Sequence, residues 1–188
     1  MQIREIESTY VEVPFSRTFH PAWLPGDSER SRTYNAMRIH TDEGIVGVSP
    51  GPGPDVVKAA SDYLVGKDPF AIKDHVQFLK RLRFGGMRTG GLENALWDIV
   101  GKACGQPLYR LFGGTRKSFL AYASTTEVGT PEQRAEDALR YLERGYRAIK
   151  LRLHNLDPED DIRLVEAVRD AVGDRMEIMT DANQVHLV

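Results

Sequence analysis

The stretch GYRAIKLRLHNLDPEDDIRLVEAVRDAVGDRMEIMTDANQ, residues 145–184, puts charge where a strand flanked by helices should have none. It reads as strand, helix, strand. In its first strand Ile149, Leu151 and Leu153 alternate with Ala148, Lys150, Arg152 and His154, and residues two apart share one face of a strand. A strand between two helices normally belongs to a parallel sheet covered on both faces, where the pattern is continuously apolar. Lys150 and Arg152 break that pattern. The second strand, Met176 to Asp181, ends on an acid followed by Ala182 and Asn183. Polar residues at the C-terminal ends of parallel strands are where α/β folds build their sites. Asp and Asn also form turns and caps, and a strand-end Lys can reach solvent. Two cations on one strand and an acid one βα unit later give the makings of a metal carboxylate beside a cationic base, the pairing needed to hold an anionic substrate and take a proton from it.

The rest of the chain reads as two textures. Ile3 to Val13, Tyr34 to Ile39 and Ile45 to Val48 are predicted strands, the last two joined by the turn Asp42-Glu43-Gly44, so an antiparallel meander is expected. Residues 15–33, carrying His20 and Trp23, read as one long loop. Val56 to Leu64 and Asp74 to Arg83 show helical spacing. So does a stripe of Leu92, Ala95, Leu96, Ile99, Val100 and Ala103, with Asp98 and Lys102 as an i, i+4 pair. Gly105 and Pro107 end that helix.

Beyond Gly114 the pattern turns to regular βα units. Phe119 to Thr125 is a predicted strand, and Thr130-Pro131-Glu132-Gln133 is a capping box. The helix that follows is expected to bury Ala135, Ala138, Leu139 and Leu142. A second helix, capped by Asp157, is expected to bury Ile162, Val165 and Val168. Such a run begins a parallel barrel or a doubly wound sheet.

Composition excludes several classes. A net charge of −2 and 41% hydrophobic residues describe an ordinary globular chain, without a basic stripe for nucleic acid. No apolar run approaches the ~20 residues of a membrane span, and no signal-peptide core is present, so a cytoplasmic location is expected. The single Cys104 reads as a buried structural thiol. The glycine-rich stretches 85–91 and 113–114 precede helix or strand but match no phosphate-loop spacing.

The Lys150-Leu151-Arg152 pair, the Asp181-Ala182-Asn183 triplet and the run ALWDIVGKACGQPLYRLFGG together resemble the enolase superfamily, in its mandelate racemase and muconate-lactonizing branch. The resemblance implies an α+β capping domain, residues 1–114, followed by an incomplete (β/α)8 TIM-type barrel, residues 115–188. It holds about the first three βα units. A closed barrel takes roughly 200 residues or more, so the chain is expected to be a fragment or a truncated form, inactive alone. The resemblance also implies Mg2+, with Asp181 as its first ligand, Lys150 and Arg152 as catalytic cations, and Asn183, His20 and Trp23 at the substrate. The family's reaction removes the proton beside a carboxylate. In racemase-type relatives the position of Arg152 holds a Lys base, and a guanidinium seldom accepts a proton. An acid-sugar dehydratase is therefore expected; a racemase, epimerase or cycloisomerase, or a non-catalytic interaction module, are the alternatives. Gly47-Val48-Ser49-Pro50 departs from a Glu often found after that glycine. A homo-oligomer acting on a small carboxylate is expected.

Overall fold

The computed structural model describes residues 1–24, 26–153 and 157–183. Its contacts divide the chain into two compact units. One joins Met1–Val13 to Ser31–Arg116, and the other joins Pro14–Arg30 to the chain from Lys117 onward.

The first unit is built on a three-stranded sheet of β1 (Ile3–Phe19), β2 (Glu29–Thr41) and β3 (Val46–Pro50), in that order. Cross-strand contacts of Glu12 with Ser31 and of Glu7 with His40 run in opposite senses along β1 and β2, the signature of a hairpin. The pairing of β2 with β3 is antiparallel, with Arg38 opposite Val48. Gly44 takes φ of +79° in the turn between them. Residues 15–33 are thus not one loop. Strand pairing continues to Phe19 and resumes at Glu29, leaving only 20–28 between. This ribbon is largely exposed, so its residues show no apolar alternation by which a strand could be recognised.

Three helices follow: α1 (Pro54–Leu64), α2 (Ile72–Phe84) and α3 (Gly90–Ala103), with a single turn, α4 (Leu108–Leu111). Their apolar faces close over Ile3, Met37 and Ile39 through Leu64, Leu79, Leu92, Leu96 and Ile99, all fully buried. α3 lies directly against β3. A Cβ on Gly47 would stand 2.2 Å from the Ala95 carbonyl oxygen, and one on Gly91 would stand 2.1 Å from that of Pro50. The missing side chains let strand and helix touch. Asp98 and Lys102 act across this contact. Asp98 Oδ2 accepts the Val48 N–H at 2.8 Å and Lys102 Nζ at 2.6 Å, while Lys102 donates to the Val46 carbonyl at 2.7 Å. They cap the outer edge of β3 as well as pairing along the helix. Cys104 is exposed, contrary to expectation, because the buried stripe ends at Val100 and Gly101 and the last turn of α3 stands clear of the core.

The second unit holds a parallel sheet of β4 (Ala123–Ser124), β5 (Ala148–Arg152) and β6 (Glu177–Asp181), in that order. Helix α5 (Pro131–Glu143) connects β4 to β5, and α6 (Pro158–Val172) leads through a short turn of 3-10 helix to β6. Thr130 and Gln133 form the capping box expected for α5, and Asp157 caps α6 by accepting the Glu159 N–H. Ile149 and Leu151 point into a core with Ala138, Leu164, Val168 and Val172. Leu139 and Ile162, expected inside, are exposed. The buried line of α6 is Asp161, Leu164, Val168 and Val172; of the expected residues Val168 is buried, Val165 packs against the core and Ile162 faces out. β4 is shorter than the Phe119–Thr125 run suggested, and Phe119 and Leu120 are exposed.

The close approach of α3 to β3 makes a direct prediction. Gly47→Ala and Gly91→Ala should each lose about 1–3 kcal/mol, read as a lower urea midpoint. Gly90→Ala, where an added Cβ meets nothing within 4 Å, should be neutral or stabilising. Equal midpoints for all three variants would remove the close-contact explanation.

Candidate active site

Parallel pairing sets Lys150 opposite Met179 and Arg152 opposite Asp181. With Ile149 and Leu151 committed to the helices, Lys150 and Arg152 must project from the other face of the sheet. Asp181 meets both. Lys150 Nζ donates to Asp181 Oδ2 at 2.9 Å, and Arg152 Nη1 stands 3.0 Å from Oδ1. The sequence-predicted cations and acid therefore form one cluster of two positive groups and one negative.

Arg152 is only 5% exposed. Its backbone N–H donates to Thr125 Oγ1 at 3.0 Å, and that hydroxyl in turn donates to the Lys150 carbonyl at 2.9 Å. Thr125 lies just past β4 and continues the ladder with its side chain. Its guanidinium neighbour is less well satisfied. Among the described residues Arg152 Nε makes no hydrogen bond, and Nη1 meets Asp181 as an ion pair off the hydrogen-bond direction. Buried donors are seldom left open without a reason.

The hydrogen bond to Asp181 holds the Lys150 ammonium above its ordinary value, against the desolvation that opposes it. The same bond is the chief cause that keeps the Asp181 carboxyl below its ordinary value, with the Asn183 N–H and Arg152 adding to it. In this arrangement Lys150 is favoured in its charged form by the hydrogen bond to Asp181. It also lies 5.7 Å from the centroid of the Tyr122 ring.

Asn183 takes φ of +42°, a left-handed conformation that Asn tolerates better than most residues. Its backbone N–H donates to Asp181 Oδ1 at 3.1 Å, while the residue is exposed. The turn steadies the carboxylate. His20 and Trp23 stand elsewhere in the second unit. The His20 N–H donates to Glu127 Oε1 at 2.9 Å, and Trp23, exposed, packs against Phe19 with ring centroids 5.9 Å apart. His154, on the cationic face of the predicted strand, lies outside the described residues. Thr125, Tyr122 and Glu127 were missed by sequence reasoning. Thr125 carries only the weak signal of a hydroxyl at a strand end, and the others carry none.

Among the described residues no group of three metal-ligating side chains converges. Asp181 is a hard oxygen donor of the kind Mg2+ takes, but Mg2+ sites combine several such donors. Among the described residues Asp181 is the carboxylate this cluster offers.

A capping sheet with helices, followed by β4, β5 and β6 in parallel with helical crossovers, defines an enolase-type architecture with the first units of its barrel. The sequence profile described as mandelate racemase / muconate lactonizing enzyme, N-terminal domain, matches residues 5–113, and that of the enolase C-terminal domain-like region matches residues 133–187. The chain belongs to the mandelate racemase / muconate lactonizing enzyme family of the enolase superfamily. It is 30% identical to the L-Ala-D/L-Glu epimerase of Bacillus subtilis over 98% of its own length and 53% of the relative's. It is 34% identical to the D-galactonate dehydratase of Pectobacterium atrosepticum over 77% of its length and 44% of that enzyme's. Other relatives bear racemase and cycloisomerase names. The chain spans about half the length of the curated relatives it matches. Its fold also superposes on a dipeptide epimerase of Enterococcus faecalis, solved with Mg and the dipeptide L-Leu-L-Tyr, at a TM-score of 0.83. Identity there is 22%, covering 98% of this chain and 55% of the other. No helix among the described residues is long and apolar enough to cross a membrane.

The paired charges predict a pH-dependent stability. A carboxylate whose folded pKa is depressed stabilises above its unfolded value, and that contribution fades as pH falls through the folded value. In metal-free buffer Asp181→Asn should destabilise at pH 7, and the gap from the unmodified chain should close as pH drops below the ordinary carboxylate value of 3.8. Thermal melts at several pH values measure it. A gap independent of pH would mean that charge is not what Asp181 contributes.

Proposed function

We propose that this segment is the N-terminal part of a Mg2+-dependent acid-sugar dehydratase, an enzyme whose base takes the proton beside a carboxylate and whose substrate then expels the neighbouring hydroxyl, protonated, as water. The observation that carries this reading is the buried Arg152 fork, paired with Asp181 yet with Nε open among the described residues. A guanidinium there cannot take a proton at ordinary pH, but it can hold an anionic oxygen through two donors. Two-base racemisation needs an acceptor on each face of the substrate carbon. Lys150 is engaged as a donor to Asp181, which argues against its supplying one on this face.

In this reading Arg152 binds the substrate carboxylate or the departing hydroxyl, and Lys150 neutralises the charge that grows on the carboxylate. Asp181 would hold Mg2+ with further carboxylates from later strands. When bound, the ion supplies Lewis-acid polarisation of the substrate carboxylate. Asn183 orients Asp181, and His20 and Trp23 contribute to the choice of substrate. The base that takes the proton comes from the later strands. Dehydratase names among the relatives support this choice, and their epimerase names support the alternative, a 1,1-proton transfer. The alternative requires an acceptor that position 152 lacks.

The test is a panel of pentonic, hexonic and aldaric acids with Mg2+, using a protein in which this segment is followed by a complete barrel. Asp181→Ala should abolish turnover even at temperatures where circular dichroism shows the destabilised variant still folded. Arg152→Lys should reduce dehydration by about 10²-fold, the scale for losing a preorganised donor. It should also introduce exchange of the α-proton with solvent deuterium. Full turnover by either variant, or racemisation in place of dehydration, would overturn the reading.

A further inference from the structure

We infer that Glu127 is a latch that seats the tip of the β1–β2 ribbon, residues 20–24 and 26–28, and so is a positioning residue for His20 and Trp23. Glu127 lies three residues past β4, with its side chain only 12% exposed. Both of its carboxylate oxygens are engaged by residues of the ribbon. Oε1 accepts the His20 N–H at 2.9 Å and Arg17 Nη1 at 3.3 Å, and Oε2 pairs with Arg17 Nη2. Next to it, the Thr126 carbonyl accepts the Ala22 N–H at 3.3 Å.

The latch residue is itself held from behind. Arg134 Nη2 donates to the Glu127 carbonyl at 2.7 Å, and Arg134 is paired with Asp137. Its guanidinium occupies the space that a side chain at position 129 would need, since a Cβ on Gly129 would come within 2.8 Å of it.

Apolar packing does little of this seating. Pro21 and Ala22 are buried, but Trp23 and Leu24 are exposed, as are Gly26, Asp27 and Ser28. Cavities of about 370 and 330 Å3 flank the tip, and His20 and Val128 line both. An ion pair between two exposed groups would be worth little, and Arg17 is 74% exposed. The carboxylate differs because it is largely buried and also satisfies a backbone N–H, so losing its charge loosens several contacts together. Burial alone would push its pKa up, yet the His20 N–H and Arg17 hold it below the ordinary value, so it stays charged.

The latch stands independently of any reaction; that His20 and Trp23 select substrate rests on the function proposed above. Trp97→Phe leaves Trp23 as the only tryptophan of the chain's two. In that background Glu127→Gln and Arg17→Gln should speed chymotryptic cleavage at Trp23 about fivefold and increase acrylamide quenching of Trp23. The global melting temperature should stay nearly constant. Arg17→Lys, which keeps the charge, should restore most of the protection. If Glu127→Gln prevents folding, the comparison of Arg17→Gln with Arg17→Lys decides. Unchanged cleavage and quenching in the foldable neutral variants, or an increase that only tracks global unfolding, overturns the latch. In a barrel-complete protein, loosening the tip should raise KM more than it lowers kcat. Failure of the acid-sugar assay would leave the cleavage and quenching results untouched, so the two readings fail separately.

Discussion

Arg152 faces Asp181 across the β5–β6 ladder, and this register is the condition on which the candidate site depends. A guanidinium only 5% exposed cannot sit in a sheet without a countercharge at hand. A slip of one residue would turn Asp181 toward the helices and leave Arg152 and Lys150 without it. Two features hold the register. Ile149 and Leu151 are locked into the core against α6, and the capped N-termini of α5 and α6 fix where each crossover begins. On the other side of β5 the Thr125 hydroxyl ties the end of β4 to the strand, bonding the Lys150 carbonyl and the Arg152 N–H on either side of Leu151. The outcome is a cluster with one more cation than anion, suited to an anionic ligand.

The parts legible in the sequence are those whose chemistry is local. Thr130-Pro131 and Asp157-Pro158 announce helix starts, and both caps form. Lys150, Arg152 and Asp181 were legible because charge in an apolar strand pattern needs a partner, and strand periodicity fixes the face. What escaped has a common cause. In β1 the residues from Thr9 to Pro14 are exposed and those up to Phe19 at most half-buried, so little in the pattern separates strand from loop. Leu139 and Ile162 are apolar residues at helical spacing that remain outside, since the width of the buried stripe is set by the facing helix. Cys104 fits the stripe of α3 but lies beyond the end of the core it packs on.

Asp98 and Lys102 show the same limit from the other side. Their spacing identifies an i, i+4 pair, which alone would contribute little. In the fold each also meets a backbone group of β3, so the pair joins helix to sheet. The close contact that allows this depends on Gly47 and Gly91, which have no periodicity to advertise them. Gly47 also belongs to the stretch that departs from the family's usual residues. The helix-to-strand contact gives that stretch a structural purpose whatever its former partners were.

The ribbon has one more consequence, for inheritance. Its base belongs to one compact unit and its tip to the other, so the second unit is discontinuous in sequence. A recombination crossover near Gly114, the natural seam by composition, would take Arg17 from one parent and Glu127 from the other, though the two meet across 110 residues. Homologous exchange at that point would then pass on the later βα units intact while shuffling the contacts that hold the ribbon tip. Lineages that diverge in ribbon sequence should become incompatible at that seam before either half loses its own fold.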